Sequence, residues 1–472
     1  MFRLRVSELL LTAGFAACVV FQLFVPPSIG LANNGDFGKM IGRFSLGPDD
    51  WEPPQENDFL TRRWVYNQHN QWVSDNRSSE LIPIFAALYI GWQFSSQEFD
   101  IRILGAIHVL LWIGCFAAFL PLLRPLPGWR RDAVAFAALF IFTDVSYVAY
   151  CNSFYTDTAA FLSLSWAVVL WLRLMGSQRP RAGLFAFFLG VSILCATTKP
   201  QHSLLGLILF VSALIVALRF EGTQKKTCAA AFALLIPLAT WVTFLETPRL
   251  EKENAEYAVI FTKILPESTA PQEDARELGL GPEYLRYSGY WANQPAEDPL
   301  NNPEWRAEFG RRTSHGKMAV FYLRHPFRAL GIVYRDLRYQ APERRPKRLG
   351  NYPRDAGYPP KTHTSSFGWW SAIRSPLFRI APWHIVLWYV AFLAFGIRLV
   401  WRDRGVAGLS ILLSAMGLLE LGLTTLADAG ETERHLFLFH VITDFTIVLA
   451  LAWCLRALPG KGQGSASLRT SS

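Results

Sequence analysis

Apolar residues along this chain gather into long blocks separated by short polar connections, with none of the period-two or short periodic patterning of a soluble core. The blocks run Leu9–Val25, Ile101–Leu123, Ala133–Tyr150, Ala159–Leu174, Leu184–Ala196, Leu204–Leu218, Ala229–Leu245, His384–Val400, Ala407–Leu426 and Leu436–Leu455. Each approaches the roughly 20 residues that cross a bilayer as a helix. Flanking aromatics, tilt or local thinning complete the shorter ones. This pattern predicts an all-α polytopic membrane protein with about ten transmembrane helices. Leu81–Phe94 is also apolar but contains Pro83, and reads as an interfacial or re-entrant helix. The first block follows Arg3 and Arg5 without a small-residue cleavage site, so it reads as a retained helix.

Charge then orients the helices. Alternate connections carry Arg124, Arg130 and Arg131; Arg173, Arg179 and Arg181; Arg219, Lys225 and Lys226; Arg398, Arg402 and Arg404; and Arg456 with Lys461. Short loops rich in Lys and Arg stay in the cytoplasm, which places both termini there. The connections 26–100, 151–158, 197–203, 246–383 and 428–435 then face outside. This divides the chain into an N-terminal transmembrane module (1–245, with the outer loop 26–100), an extracytoplasmic segment (246–383), C-terminal transmembrane helices (384–458) and a disordered Gly/Ser-rich cytoplasmic tail (459–472). The 246–383 segment is too apolar for a linker. Helical patches at Pro303–Tyr322 and Phe327–Leu337 make it a mostly helical insertion.

Composition adds little except by exclusion. The formal net charge of +9 sits in clusters beside apolar blocks, not along a basic stripe, so no nucleic-acid partner is expected and the lipid bilayer is. The six cysteines show no C-x-x-C spacing and read as small hydrophobes. There is no transporter-type internal repeat and no nucleotide-binding glycine pattern.

The outer connections carry the candidate chemistry. Asp36, in Asn33-Asn34-Gly35-Asp36-Phe37, is a carboxylate just beyond the first span that can take a proton from an acceptor hydroxyl; a plain turn and helix cap would use the same residues. Asp157, in Asn152-Ser153-Phe154-Tyr155-Thr156-Asp157, is a second acid that also suits a helix N-cap. Lys199, in a very short turn with Pro200 and Gln201, offers an ammonium to a phosphate or snorkels at the interface. Arg434 suits bidentate phosphate recognition with Glu431 and Glu433 to orient it, or forms a surface pair with them. Acids and cations on every outer connection point to outward-facing chemistry on a charged, lipid-linked substrate.

An acid in the first outer loop resembles the hallmark of the GT-C superfamily, membrane glycosyltransferases that use polyprenyl-phosphate-linked sugars. More closely, Asn33–Phe37, Asn152–Asp157, Lys199-Pro200-Gln201 and Glu433-Arg434-His435-Leu436-Phe437 resemble a bacterial branch of glycan-biosynthesis hexose transferases, related to the protein O-mannosyltransferase and aminoarabinose-transferase group. The likeness extends to 254–265 and 278–291. It implies a GT-C-like fold and inverting transfer of a hexose to an envelope glycan, lipid or protein acceptor, on the outer face of the bacterial cytoplasmic membrane. Asp36 would be the general base and Asp157 a second site acid. Lys199 and Arg434 would hold the donor phosphate, with Asn34, Tyr155, Gln201, Glu431, Glu433 and His435 around the substrate. Some relatives carry an acidic pair where this chain has only Asp36. The expectation is therefore a site without metal or other cofactor, with a divalent ion left open.

A transporter or flippase of lipid-linked glycans is the competing reading. It would place charge deep within spans, and Glu420 is the notable intramembrane acid. A membrane acyltransferase would use a histidine within a span, for which His108 and His440 are candidates.

Overall fold

The computed structural model describes residues 4–48, 58–66, 76–296, 298–344 and 351–457. The tail 459–472, and Lys461 with it, lies outside them. Seven helical stretches are long and apolar enough to cross a membrane: Val6–Phe24 (α1), Arg102–Leu123, Asp157–Gly176, Pro200–Ala217, Thr223–Leu245, Arg404–Ala427 and Thr432–Ala457. Two bent pairs, Gly128–Phe142 with Val145–Asn152 (56°) and Trp369–Ile380 with His384–Leu399 (103°), raise the number to nine. Large apolar side chains on their outward faces, among them Leu10, Leu110, Phe136, Leu207, Leu238 and Leu387, are left exposed by the bundle. Only hydrocarbon satisfies such surfaces around helices whose backbone is already paired.

The count of ten is not reached on helix length. The expected span Leu184–Ala196 is a 15-residue helix, Ala182–Ala196, bounded by Pro180 and by the Thr197–Pro200 turn. At 1.5 Å per residue it covers about 22 Å, short of a hydrocarbon core. Yet Lys199, just past its end, lies 2.6 Å from Asp157 at the start of the preceding span. The short helix therefore returns the chain to the end of the bundle from which Asp157–Gly176 departs. Leu81–Trp92 (α2) is 12 residues long, too short to cross, and seats Ile84, Ala87, Leu88 and Gly91 inward.

The two ends of the bundle differ in chemistry. At one end the basic connections meet. Arg124 pairs with Glu8 at 2.7 Å, Arg456 with Asp403 at 3.1 Å, Arg130 donates to the Leu455 carbonyl at 3.0 Å, and Arg219 to that of Ser177 at 2.8 Å. At the other end lie the first outer loop, the short turns and the 246–383 segment. Asp157–Gly176 (α3) is the most enclosed span, with 72% of its residues buried against 22% for Thr223–Leu245. The innermost helix thus begins with the second candidate acid.

The all-helical expectation needs one correction. Leu46–Pro48 (β1), Arg63–Tyr66 (β2) and Glu98–Asp100 (β3) form an antiparallel sheet in the order β1-β2-β3, with Gly47 opposite Val65 and Trp64 opposite Phe99. Strands of three or four residues are too short to show alternation in the sequence, and Trp64-Val65-Tyr66 is the one β-favouring triplet. Within the 246–383 segment the helical patch 303–322 is broken at Thr313-Ser314 into Pro303–Arg312 and His315–Arg324, because Ser314 caps the second helix through its hydroxyl. Tyr257, Phe261, Tyr284, Tyr287 and Phe309 form a hydrophobic cluster of its own there, with Trp305 packed on it. Of the cysteines, Cys115, Cys151 and Cys195 are buried, Cys18 is half-buried, and Cys228 and Cys454 are exposed.

Candidate active site

The site starts from how residues 26–37 are held. Asn152, fully buried, donates its amide to the carbonyls of Leu23 at 3.1 Å and Ile29 at 2.8 Å, fixing the chain as it leaves α1. The approach needs a glycine: a Cβ on Gly30 would stand 2.6 Å from the Asn152 carbonyl. Asn33 Oδ1 then accepts from the backbone of Gly35 at 2.8 Å and Phe37 at 3.1 Å, and Asn34 Oδ1 from Asp36 at 3.0 Å. Gly35 supplies the positive φ of +103° that this turn requires. Phe37 wedges among Trp64, Phe154 and Tyr155, with centroids 4.8–5.9 Å apart, and so ties the turn to β2 and to the 152–157 segment. Asp36 precedes a short helix, Phe37–Ile41, but its side chain makes no cap bond. The asparagines make the turn and leave the carboxylate free for other partners.

Those partners come from the far end of the chain. Asp36 Oδ2 lies 2.5 Å from Arg434 Nη2, and Oδ1 lies 2.8 Å from Lys39 Nζ. Burial alone would raise this carboxyl, but Arg434 and then Lys39 outweigh it and hold it well below the usual carboxylate range. Arg434 is the hub. Its Nε lies 2.7 Å from Glu431 Oε2, its Nη1 3.5 Å from Asp157 Oδ2, and its guanidinium 4.9 Å from the centroid of the Tyr155 ring. Asp157 in turn lies 2.6 Å from Lys199. It opens α3, yet no side-chain cap bond closes that helix end; its carboxylate is committed to the two cations. Asn34 Nδ2 donates to Glu431 Oε2 and closes the ring. Four carboxylates (Asp36, Asp157, Glu431 and, 3.7 Å from Lys39, Glu251) thus face three cations (Arg434, Lys199, Lys39). Lys39, 47% exposed, Glu431, 31%, and Asp36, 26%, are the open members of this network, while Asp157 is sealed.

A family model described as the YfdI N-terminal transmembrane domain matches residues 3–466. The chain belongs to this family. No curated protein and no solved structure matches it.

The other candidate residues of this YfdI-family chain divide into supports and outliers. Tyr155 is buried; its hydroxyl donates to the Ala32 carbonyl at 3.1 Å and its ring carries Arg434. Gln201 turns away from the ring, donating to Glu420 Oε1 at 2.5 Å and Thr424 Oγ1 at 3.0 Å. Glu420 also faces His202 Nε2 at 3.4 Å, so this intramembrane acid sits beside the site's own turn. His435 pairs with Asp428 at 2.5 Å and shapes the 428–435 loop. Glu433 makes no hydrogen bond or ion pair with a described residue, so Glu431 alone orients Arg434. Among the described residues no three His, Cys, Asp or Glu side chains gather as metal ligands.

Two residues outside the expected set matter. Lys39, three residues past Asp36 on the same short helix, supplies the second cation. Lys263 comes from the 246–383 segment. Its ammonium meets Asp336 at 2.8 Å, the carbonyls of Asp428 and Thr425 at 2.9 and 3.0 Å, and Thr432 Oγ1 at 3.2 Å. It pins both ends of the loop that presents Glu431 and Arg434. The sequence signal is a lone lysine in the apolar run Ala258–Leu265. Glu431 itself takes a left-handed φ of 46°, a conformation the pinned loop imposes.

Proposed function

We propose that this protein is an inverting GT-C-type glycosyltransferase that moves a sugar, a hexose by the resemblance, from a polyprenyl-phosphate donor to an envelope glycan, lipid or protein acceptor. The observation that carries the reading is the ring of acids paired with Arg434, Lys39 and Lys199, with Asp36 at its open edge. The YfdI family is GT-C-like, which accords with it.

The chemistry follows from charge. Asp36 takes the acceptor hydroxyl's proton as the oxygen bonds to the anomeric carbon, and the bond from that carbon to the phosphate oxygen breaks on the opposite face. The carboxylate loses its negative charge as the departing phosphate gains one, so the total charge at the site is unchanged. Arg434 and Lys39, no longer neutralised by Asp36, then turn that charge to the phosphate, and Lys199 stands across Asp157 from Arg434. No metal is needed for this balance. The catalytic face is the outer one, with both termini in the cytoplasm of a bacterial cell, because the opposite end gathers the arginine-rich short loops.

Two measurements test the reading. Mass spectrometry of envelope glycans and lipids, from cells with and without the protein, should show loss of one hexose-sized unit; an unchanged profile argues against transfer. A cysteine introduced at Gly128, beside the exposed Trp129, should react only with reagents that reach the cytoplasm. Labelling from outside overturns the orientation.

A further inference from the structure

A second group of charges is buried where the 246–383 segment meets the last span. Asp444, two helical turns into Phe437–Ala457 (α4), is wholly enclosed. Its Oδ1 lies 2.6 Å from Arg374 Nη1 and its Oδ2 3.1 Å from Arg344 Nη2. Trp370 Nε1 donates to Oδ2 at 2.8 Å, and the Tyr147 hydroxyl donates to it as well. Arg344 lies over the Tyr147 ring at 5.0 Å. Both arginines are buried, to 5% and 3% exposure.

The hydrogen bonds of this cluster do not balance. Two guanidiniums, which cannot shed their protons, contact one carboxylate, and the nearby buried Asp144 gives its oxygens to Ser146 and Ser371. Arg344 Nε, Arg344 Nη1 and Arg374 Nη2 are sealed from solvent and have no acceptor among the described residues. Unmet charged donors in a low-dielectric interior are among the costliest features a fold can carry. Glu343 is engaged by Arg379 at 3.0 Å. A multi-oxygen anion between two planar forks would fill several of these donors at once. Immediately after Asp444, Phe445, Val448 and Leu449 line an apolar crevice with Trp112, Phe116 and Phe142.

We infer that Arg344 and Arg374 form a second phosphate-binding site, separate from the Asp36 ring, for a phosphate group carried on a lipid or free in solution. The crevice beside Asp444 suits an apolar chain attached to that phosphate. At the Asp36 ring every cation already has a carboxylate, whereas here three donors have no acceptor among the described residues. The site does not depend on the sugar-transfer reading, since binding alone defines it.

The test is equilibrium binding to the full-length protein in nanodiscs of neutral lipid. The probes are a polyprenyl monophosphate, inorganic phosphate and uncharged polyprenol. Arg374→Gln should weaken phosphate binding about tenfold or more, the weight of a charge-assisted hydrogen bond. Asp444→Asn, which removes the competing carboxylate, should tighten it severalfold, and this variant decides the matter where Arg374→Gln fails to fold. Variant-sensitive binding of the monophosphate alone identifies a lipid-borne phosphate; the same response with inorganic phosphate identifies a free one. Polyprenol binding as tightly as its monophosphate, no saturable phosphate binding, or binding that ignores both substitutions overturns the proposal.

Discussion

Asp36→Asn is expected to lower sugar transfer by about a thousandfold, the middle of the range for a general base, while insertion and folding stay intact. Asparagine keeps the shape of the side chain and can still accept from Arg434, but it cannot take a proton. Arg434 keeps Glu431 and Asp157, so its charge is not abandoned. Because Asp36 is partly exposed and its turn is made by Asn33 and Asn34, the variant should give up the stability of its charged contacts and still fold. The pH dependence sharpens the test. Arg434 and Lys39 overcome the burial penalty and depress the Asp36 carboxyl, so its ionised form persists below the ordinary carboxylate value of about 4. The stability it contributes is present above that value and is lost only as pH falls through the lower, folded one. The deficit of the variant should therefore be flat across neutral pH. A variant that transfers sugar at the wild-type rate from a matched donor would remove Asp36 from the chemistry.

Some of this site was legible before folding was considered. The blocks located the helices because a bilayer imposes a length and a polarity that few sequences satisfy by accident. The charge pattern assigned Asp36, Asp157, Lys199 and Arg434 to the same end, and the four meet there through contacts of 2.5 to 3.5 Å. What the pattern could not provide was partnership. Asp36 and Arg434 are 398 residues apart, and Asn34 and Glu431 are 397, so only packing decides that they touch. Gln201 and Glu433 were grouped with the ring by adjacency, yet one turns toward Glu420 and the other meets no charged partner among the described residues. Lys263 and the Arg344–Arg374–Asp444 group carry no motif that marks them in the sequence. Their role appears only where the 246–383 segment seats on the spans. The sheet and the exact length of the helix Ala182–Ala196 are not legible for a simpler reason, since both fall below the length at which periodicity or hydropathy speaks.

Arg434 should be the position least tolerant of change. Its three nitrogens address three different carboxylates, Nη2 to Asp36, Nε to Glu431 and Nη1 to Asp157. Arg434→Met leaves those acids facing only Lys39 and Lys199, and breaking a buried pair from one side typically costs about 3–5 kcal/mol. The expected result is a lower unfolding midpoint together with loss of transfer. Arg434→Lys separates charge from geometry. A lysine restores the positive charge but offers a single ammonium, with no planar fork to hold Asp36 and Glu431 apart. It should fold near the wild-type midpoint and still lose about a hundredfold in transfer. If Arg434→Lys were fully active, a point charge would suffice and the fork would have no catalytic meaning. A double-mutant cycle supplies the control. Asp36→Asn removes one of the acids that Arg434→Met strands, so the two stability losses should sum to more than the loss in the double variant. Simple additivity would mean that the 2.5 Å contact between Asp36 and Arg434 carries no energy of its own, and the charged ring would lose its physical basis.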